Sequence, residues 1–146
     1  MRMRVALALL AVATPVVALA TPASAAGGVN ISRVYFDSPG SDDRSNTSLN
    51  AEYVRLKNYG TSSKNITGWT VVDAADHRYT FGTFTLAAGA SVTVHTGRGT
   101  NTAKHRYWGS GAYVWNNTGD EASLYSGGGA LKDSCSFDGR GDYKDC

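Results

Sequence analysis

An acidic segment near the start of the chain carries residue types that could bind a cation. Asp37, Asp42 and Asp43 lie in it, and Asn50 and Glu52 follow shortly after. Carboxylate and amide oxygens are the ligands that calcium prefers, so we consider a calcium site on the three aspartates. The spacing does not match an EF-hand loop, and the composition is also typical of a solvated turn. The composition favours the solvated loop, with calcium as the alternative and no other cofactor expected.

Three histidines, His77, His95 and His105, are the next candidates for chemistry. Zinc binding or acid–base catalysis would need them to converge. His95 follows Val94 on a predicted strand and faces the opposite side, and the other two lie in predicted connectors. The zinc spacing HExxH does not occur. The sequence therefore assigns no catalytic residue and no histidine metal site.

Cys135 and Cys146 are the two cysteines of the chain. In an exported protein an isolated pair most simply forms a disulfide. The bond would close a 12-residue loop, and the chain-entropy model gives such a loop about 3 kcal/mol of stabilisation. We expect it to hold the C-terminal tail to the last strand.

Two aromatic residues, Tyr107 and Trp108, lie in a long predicted connector rather than on a predicted strand. A bulky ring has less reason to be buried there, and exposed rings suit sugar rings or another protein's surface. We therefore regard the two residues as candidates for a ligand surface, with packing on the core as the alternative.

The first 25 residues have the composition of a secretory signal peptide. Residues 1–4 are basic, residues 5–20 are mostly apolar, and residues 23–25 match the small-residue cleavage pattern. Pro15 interrupts the apolar run, which disfavours a membrane-spanning helix. We expect cleavage after residue 25 and a secreted, extracellular domain over residues 26–146 with no membrane span.

The charge balance changes once this signal is removed. The complete chain has 14 basic and 12 acidic residues. Arg2 and Arg4 belong to the signal, which leaves 12 residues of each sign and a net charge of zero. The charge therefore gives no support for a nucleic-acid or anionic-membrane partner.

Short alternating segments separated by glycine, asparagine, aspartate and serine dominate the mature chain, which is typical of an all-β fold. The predicted strands cover residues 29–36, 51–57, 67–72, 79–81, 91–96, 113–115, 122–125 and 130–137. About eight short strands in a chain of this length favour an antiparallel β-sandwich. No helical periodicity of useful length appears among them.

The order of several motifs resembles the lamin-tail domain family, in its secreted single-domain bacterial form, over residues 29–137. The matching motifs are NAEYVRLKN at 50–58, Gly60, TGW at 67–69, YTF at 79–81, Leu86 with Gly89, Val92 with Val94, and WNNTGDEASLY at 115–125. The resemblance implies an immunoglobulin-like sandwich and a non-catalytic domain, found in nuclear lamin tails and in exported bacterial proteins. The long acidic loop and the cysteine-containing tail depart from the compact lamin form.

We interpret the chain as a secreted, non-enzymatic and monomeric binding or adhesion module. The expected contact surfaces are the loops 37–50 and 97–111, and the expected partner is an extracellular protein or polysaccharide. A carbohydrate-binding module is the first alternative, and it would need an exposed aromatic platform. A small secreted hydrolase or nuclease accessory is the second, and it would need histidine or carboxylate side chains converging in a cleft.

Overall fold

The computed structural model describes residues 27–146, so the predicted signal peptide lies outside the described residues. In chain order the elements are β1 (Val29–Tyr35), α1 (Asn46–Ala51), β2 (Tyr53–Asn58), β3 (Lys64–Asn65), β4 (Thr70–Val72), β5 (Arg78–Thr80), β6 (Thr85–Leu86), β7 (Ser91–His95), β8 (His105–Tyr107), β9 (Asp120–Tyr125), β10 (Leu131–Phe137) and β11 (Tyr143–Asp145). Within this range no helix has both the length and the apolar character needed to cross a bilayer.

These strands form two main sheets and one small pair. The five-stranded sheet has the order β11-β1-β2-β7-β8, the four-stranded sheet has the order β10-β9-β4-β5, and β3 pairs with β6. Every pairing is antiparallel except that of β7 with β8, which is parallel. The predicted all-β, immunoglobulin-like sandwich is confirmed.

The core lies between the two main sheets and follows from the alternation along each strand. In β2 the side chains of Val54 and Leu56 are fully buried, and in β7 those of Val92 and Val94 are buried in the same way. The intervening residues of both strands point to the outer face of the five-stranded sheet. Side chains of the second sheet and its loops, such as the buried Trp115, complete the core.

An aromatic row crosses the outer face of the five-stranded sheet. Tyr143, Tyr35, Tyr53, His95 and Tyr107 are successive cross-strand partners in β11, β1, β2, β7 and β8. Neighbouring ring centroids are 5.2–6.0 Å apart, and three of the four pairs are stacked. Such pairs stabilise a sheet, so this row ties all five strands together.

The predicted disulfide is confirmed. Cys135 in β10 bonds to Cys146 just after β11, with their Cα atoms 5.9 Å apart. Cys146 also donates its backbone N–H to the carbonyl of Ser32 in β1. The bond therefore joins the edge strand of one sheet to the edge strand of the other, and it holds the tail as expected.

Seven of the eight predicted strands overlap observed ones, and the predicted strand 113–115 is wrong. Residues 113–115 form a loop, because the backbone N–H of Val114 donates to the side chain of Glu52 and not to a neighbouring strand. The sequence also missed α1, β3, β6, β8 and β11, which are all six residues or shorter.

Candidate functional site

The loops that follow β1, β4 and β10 meet at one end of the sandwich, which we call the loop end. Tyr35 at the end of β1 pairs with Tyr53 at the start of β2, and Phe137 at the end of β10 pairs with Asp120 at the start of β9. Phe36 stacks on Phe137 with ring centroids 4.4 Å apart. The loops of both sheets therefore converge at this end.

A cleft of about 630 Å³ opens at the loop end. Three segments line it. These are the loop after β1, through Asp42, the loop after β4, through residues within 73–77, and the segment before β9, through residues within 113–120. Its lining includes three carboxylates, those of Asp42, Asp73 and Asp120, and the imidazole of His77. The oxygens of Asp73 and Asp120 already accept hydrogen bonds within the protein, so the exposed Asp42 and the imidazole of His77 are the polar groups best placed to meet a ligand.

Two of these carboxylates fix the backbone around the cleft. Asp73, whose side chain is 1% exposed, accepts the backbone N–H groups of Ala75 and His77 at 3.1 and 2.7 Å. Asp120 accepts those of Ala74 and Asn116, both at 3.0 Å. Aspartate side chains that bond to nearby backbone N–H groups replace flexible turns with defined ones. The cleft is therefore organised before any ligand arrives.

His77 presents an oriented imidazole at the mouth of this cleft. Its Nδ1 lies 2.6 Å from Oδ2 of Asp73, and its side chain is 58% exposed. The hydrogen bond to Asp73, together with the negative charge of that carboxylate, raises the pKa of His77. Because the carboxylate accepts from Nδ1, the other ring nitrogen is left to bond a ligand.

The acidic loop reaches the same cleft, but its three aspartates do not act together. Nδ2 of Asn117 donates to Oδ1 of Asp37 at 3.0 Å and to Oδ2 of Asp42 at 3.4 Å. Asp43 turns away and accepts the backbone N–H of Ser45, which lowers the pKa of Asp43. Among residues 27–146 no group of three His, Cys, Asp or Glu side chains is arranged to hold a metal ion. The calcium site stays a prediction.

The two candidate aromatic residues occupy different places. Tyr107 lies in β8 and stacks on His95 with centroids 5.2 Å apart. Trp108 packs against the core, with its ring centroid 6.0 Å from that of Trp115 and 5.9 Å from that of Tyr79. Both side chains are half-buried. Their role as a ligand surface stays a prediction.

His95 and His105 lie side by side, which the sequence did not show. Nε2 of His95 is 3.0 Å from Nδ1 of His105, and Nδ1 of His95 lies 2.7 Å from the carbonyl oxygen of Asn50. The prediction that His105 lies in a connector is wrong, because β8 pairs with β7 in parallel. His77 has no part in this pair and stands in the cleft with Asp73.

Glu52 is a fully buried carboxyl that the sequence interpretation did not place in the core. Its Oε1 accepts the hydroxyl of Thr96 at 2.6 Å and the backbone N–H of Val114 at 2.8 Å, whereas its Oε2 has no partner. Burial raises its pKa to about 7. The sequence did contain a signal for this burial. Alternate residues of a strand point to the same side, so Glu52, two residues before Val54 and four before Leu56, is expected on the core side.

The sequence was compared with protein families and with curated proteins. A family model described as Lamin Tail Domain matches residues 22–139, which is most of the chain. A search of curated proteins found no match.

Proposed function

The chain belongs to the lamin tail domain family, and on that premise we propose that it is an exported, non-catalytic binding module acting at or outside the cell surface. Domains of this immunoglobulin-like type serve as scaffolds for loops that make contacts. The disulfide supports export, because such bonds persist in oxidising compartments. The signal-like composition of residues 1–25 supports it independently.

The observation that carries the proposal is the preorganised acidic cleft at the loop end. Backbone N–H groups that donate to Asp73 and Asp120 fix two of its loops, and the side chain of Asn117 donates to Asp42 in the third. A rigid site loses less conformational entropy on binding than a flexible one does. The contact surface that we propose therefore includes the predicted segment 37–50, which reaches the cleft through Asp42 and whose residues 46–50 lie in α1, together with the loops after β4 and before β9. The predicted contact loop 97–111 does not line this cleft.

The partner that fits this cleft is an extracellular protein or polysaccharide that offers hydrogen-bond donors. Sugar hydroxyls and the basic side chains of a protein both meet this description. A flat aromatic sugar platform has less support, because the rings on the outer sheet face do not share one plane: those of Tyr53 and His95 are inclined by 62°. Arg33 covers Tyr143, with its Cζ atom 4.0 Å from the ring centroid.

A binding role is favoured over hydrolysis by the residues that line the cleft. His77 with Asp73 resembles an acid–base pair, but a covalent mechanism also needs an activated nucleophile within reach. The hydroxyl lining the cleft belongs to Tyr113, and it lies 2.6 Å from Oγ of Ser48. A test of the proposed binding function should therefore measure hydrolysis as well as binding.

The test is retention of the mature domain on insoluble polysaccharides and on surfaces coated with extracellular proteins. Asp42→Asn and His77→Gln each remove a charged hydrogen-bonding group from the cleft and should weaken retention by about 10-fold or more. Asp145→Asn is the matched control, because it removes a carboxylate from the outer sheet face. All variants should melt as cooperatively as the parent domain.

Two results would contradict the proposal. Equal retention of the parent domain and both cleft variants would show that the cleft makes no contact with the partner. Release of soluble sugar or peptide that disappears in His77→Gln would show that the cleft is catalytic.

A further inference from the structure

A second site lies on the outer face of the five-stranded sheet, outside the cleft. We propose that His95 and His105 form a two-histidine site for a divalent transition-metal ion, with Cu²⁺ as the preferred occupant. The proposal rests on the positions of three nitrogen atoms and one carbonyl oxygen. It is independent of the binding function proposed for the loop end.

The hydrogen-bond partner of His95 determines which of its nitrogens is free. A carbonyl oxygen only accepts hydrogen bonds, so Nδ1 of His95 carries the hydrogen that bonds to Asn50 at 2.7 Å. Nε2 therefore holds a lone pair, and it points at Nδ1 of His105, 3.0 Å away. Metal-bound histidines commonly donate their second ring N–H to a backbone carbonyl in this way, which fixes the tautomer and the ring orientation.

The orientation of the His95 ring is held from a second side. Tyr107 stacks on its ring with centroids 5.2 Å apart and limits its rotation.

The two nitrogens are close enough to bind one metal ion. Metal–nitrogen bonds to histidine are about 2.0–2.1 Å long, so two ligand nitrogens on one ion lie about 3 Å apart. Nε2 of His95 and Nδ1 of His105 are 3.0 Å apart. Cu²⁺ is the preferred occupant because it binds a given set of nitrogen ligands more tightly than Ni²⁺ or Zn²⁺ does.

Binding requires one small rearrangement of His105 and no redox step. In the free protein Nδ1–H of His105 donates to Nε2 of His95; in the bound form the proton moves to Nε2 of His105. Both rings stay neutral, and each contributes one lone pair to the ion. His105 is exposed, so its ring is free to turn toward the metal.

The remaining coordination positions belong to solvent. Among the described residues no third His, Cys, Asp or Glu joins the pair. Two protein ligands hold a metal less tightly than the three or four of established zinc sites. We therefore expect an open and comparatively weak site whose affinities follow the order Cu²⁺ above Ni²⁺ and Zn²⁺, with Mn²⁺ weakest.

Calorimetric titration of the mature, disulfide-bonded domain with Cu²⁺ tests the proposal. We expect one equivalent to bind, with at least a 10-fold loss of affinity in His105→Gln. His77→Gln is the matched control, because it makes the same substitution at the histidine outside the pair, and copper binding should not change.

Electron paramagnetic resonance of the copper complex supplies a readout that does not depend on any variant. Its hyperfine structure should show two imidazole nitrogens in the parent protein and one in His105→Gln. Wild-type affinity in His105→Gln, loss of binding in His77→Gln, or a spectrum without two nitrogens would each overturn the proposal.

Discussion

Glu52 should make the protein less stable as the pH rises from about 4.5 to 7. Its side chain is fully buried, and burial raises its pKa from 4.5 to about 7. Between these values the folded protein holds a proton that the unfolded chain has lost, so the free energy of unfolding decreases with increasing pH. A shift of about 2.5 units corresponds to about 3 kcal/mol.

Glu52→Gln isolates this effect. The glutamine carbonyl can still accept the hydrogen bonds from Thr96 and Val114, but the side chain cannot ionise. The difference in unfolding free energy between the two proteins should therefore shift by about 3 kcal/mol in favour of Gln between pH 4.5 and 8. His77 and His95 also titrate near this range, and their contributions cancel in the difference because both proteins contain them.

Urea unfolding followed by tryptophan fluorescence at pH 4.5, 5.5, 6.5, 7.5 and 8 measures that difference. Glu52→Leu serves as the contrasting variant, because it leaves the N–H of Val114 without its acceptor. Because neither substituted side chain ionises, Glu52→Leu should be less stable than Glu52→Gln by about 1–3 kcal/mol at every pH. If the stability profiles of the parent protein and Glu52→Gln run parallel, Glu52 has an ordinary pKa in the folded state and the burial argument is wrong.

Three further predictions concern the tail and the loop end. Reduction of the disulfide should lower the free energy of unfolding by about 3 kcal/mol, measured by urea unfolding with and without reductant. Gly139→Ala should cost more than Gly141→Ala in the same assay, because both residues have a φ of 74° but only at Gly139 would the new methyl group meet the carbonyl of Asn117. If the acidic loop binds calcium, excess calcium should raise the melting temperature relative to chelator, and Asp42→Asn should abolish the rise. An unchanged melting temperature would contradict the calcium hypothesis and support the solvated loop.

Sequence patterns predicted the strands that carry the core, because their chemistry repeats over several residues. In β2 the residues Val54 and Leu56 alternate with Arg55 and Lys57, and this alternation fixes both the strand and its buried face. The helix α1 gave no comparable signal. Six residues with one large apolar side chain, Leu49, contain too little periodicity to be recognised.

The candidate sites also differ in whether their contacts lie between near neighbours in the sequence. Asp73 accepts the backbone N–H groups of Ala75 and His77 within its own loop, which are contacts between near neighbours in the sequence. The His95–His105 pair depends instead on the parallel pairing of β7 with β8 across a connector of nine residues, 96–104. Parallel strands usually need longer crossovers, so no sequence pattern predicted this contact.

The position of this pair gives metal binding a structural consequence. β8 has three residues and lies at an edge of the five-stranded sheet, where it pairs with β7 on one side. Short edge strands open more readily than central ones. An ion held by both His95 and His105 would crosslink β8 to β7, and a ligand that binds only the closed edge must stabilise it. Metal binding and the order of the aromatic row, which ends at Tyr107 in β8, are therefore coupled through the same strand.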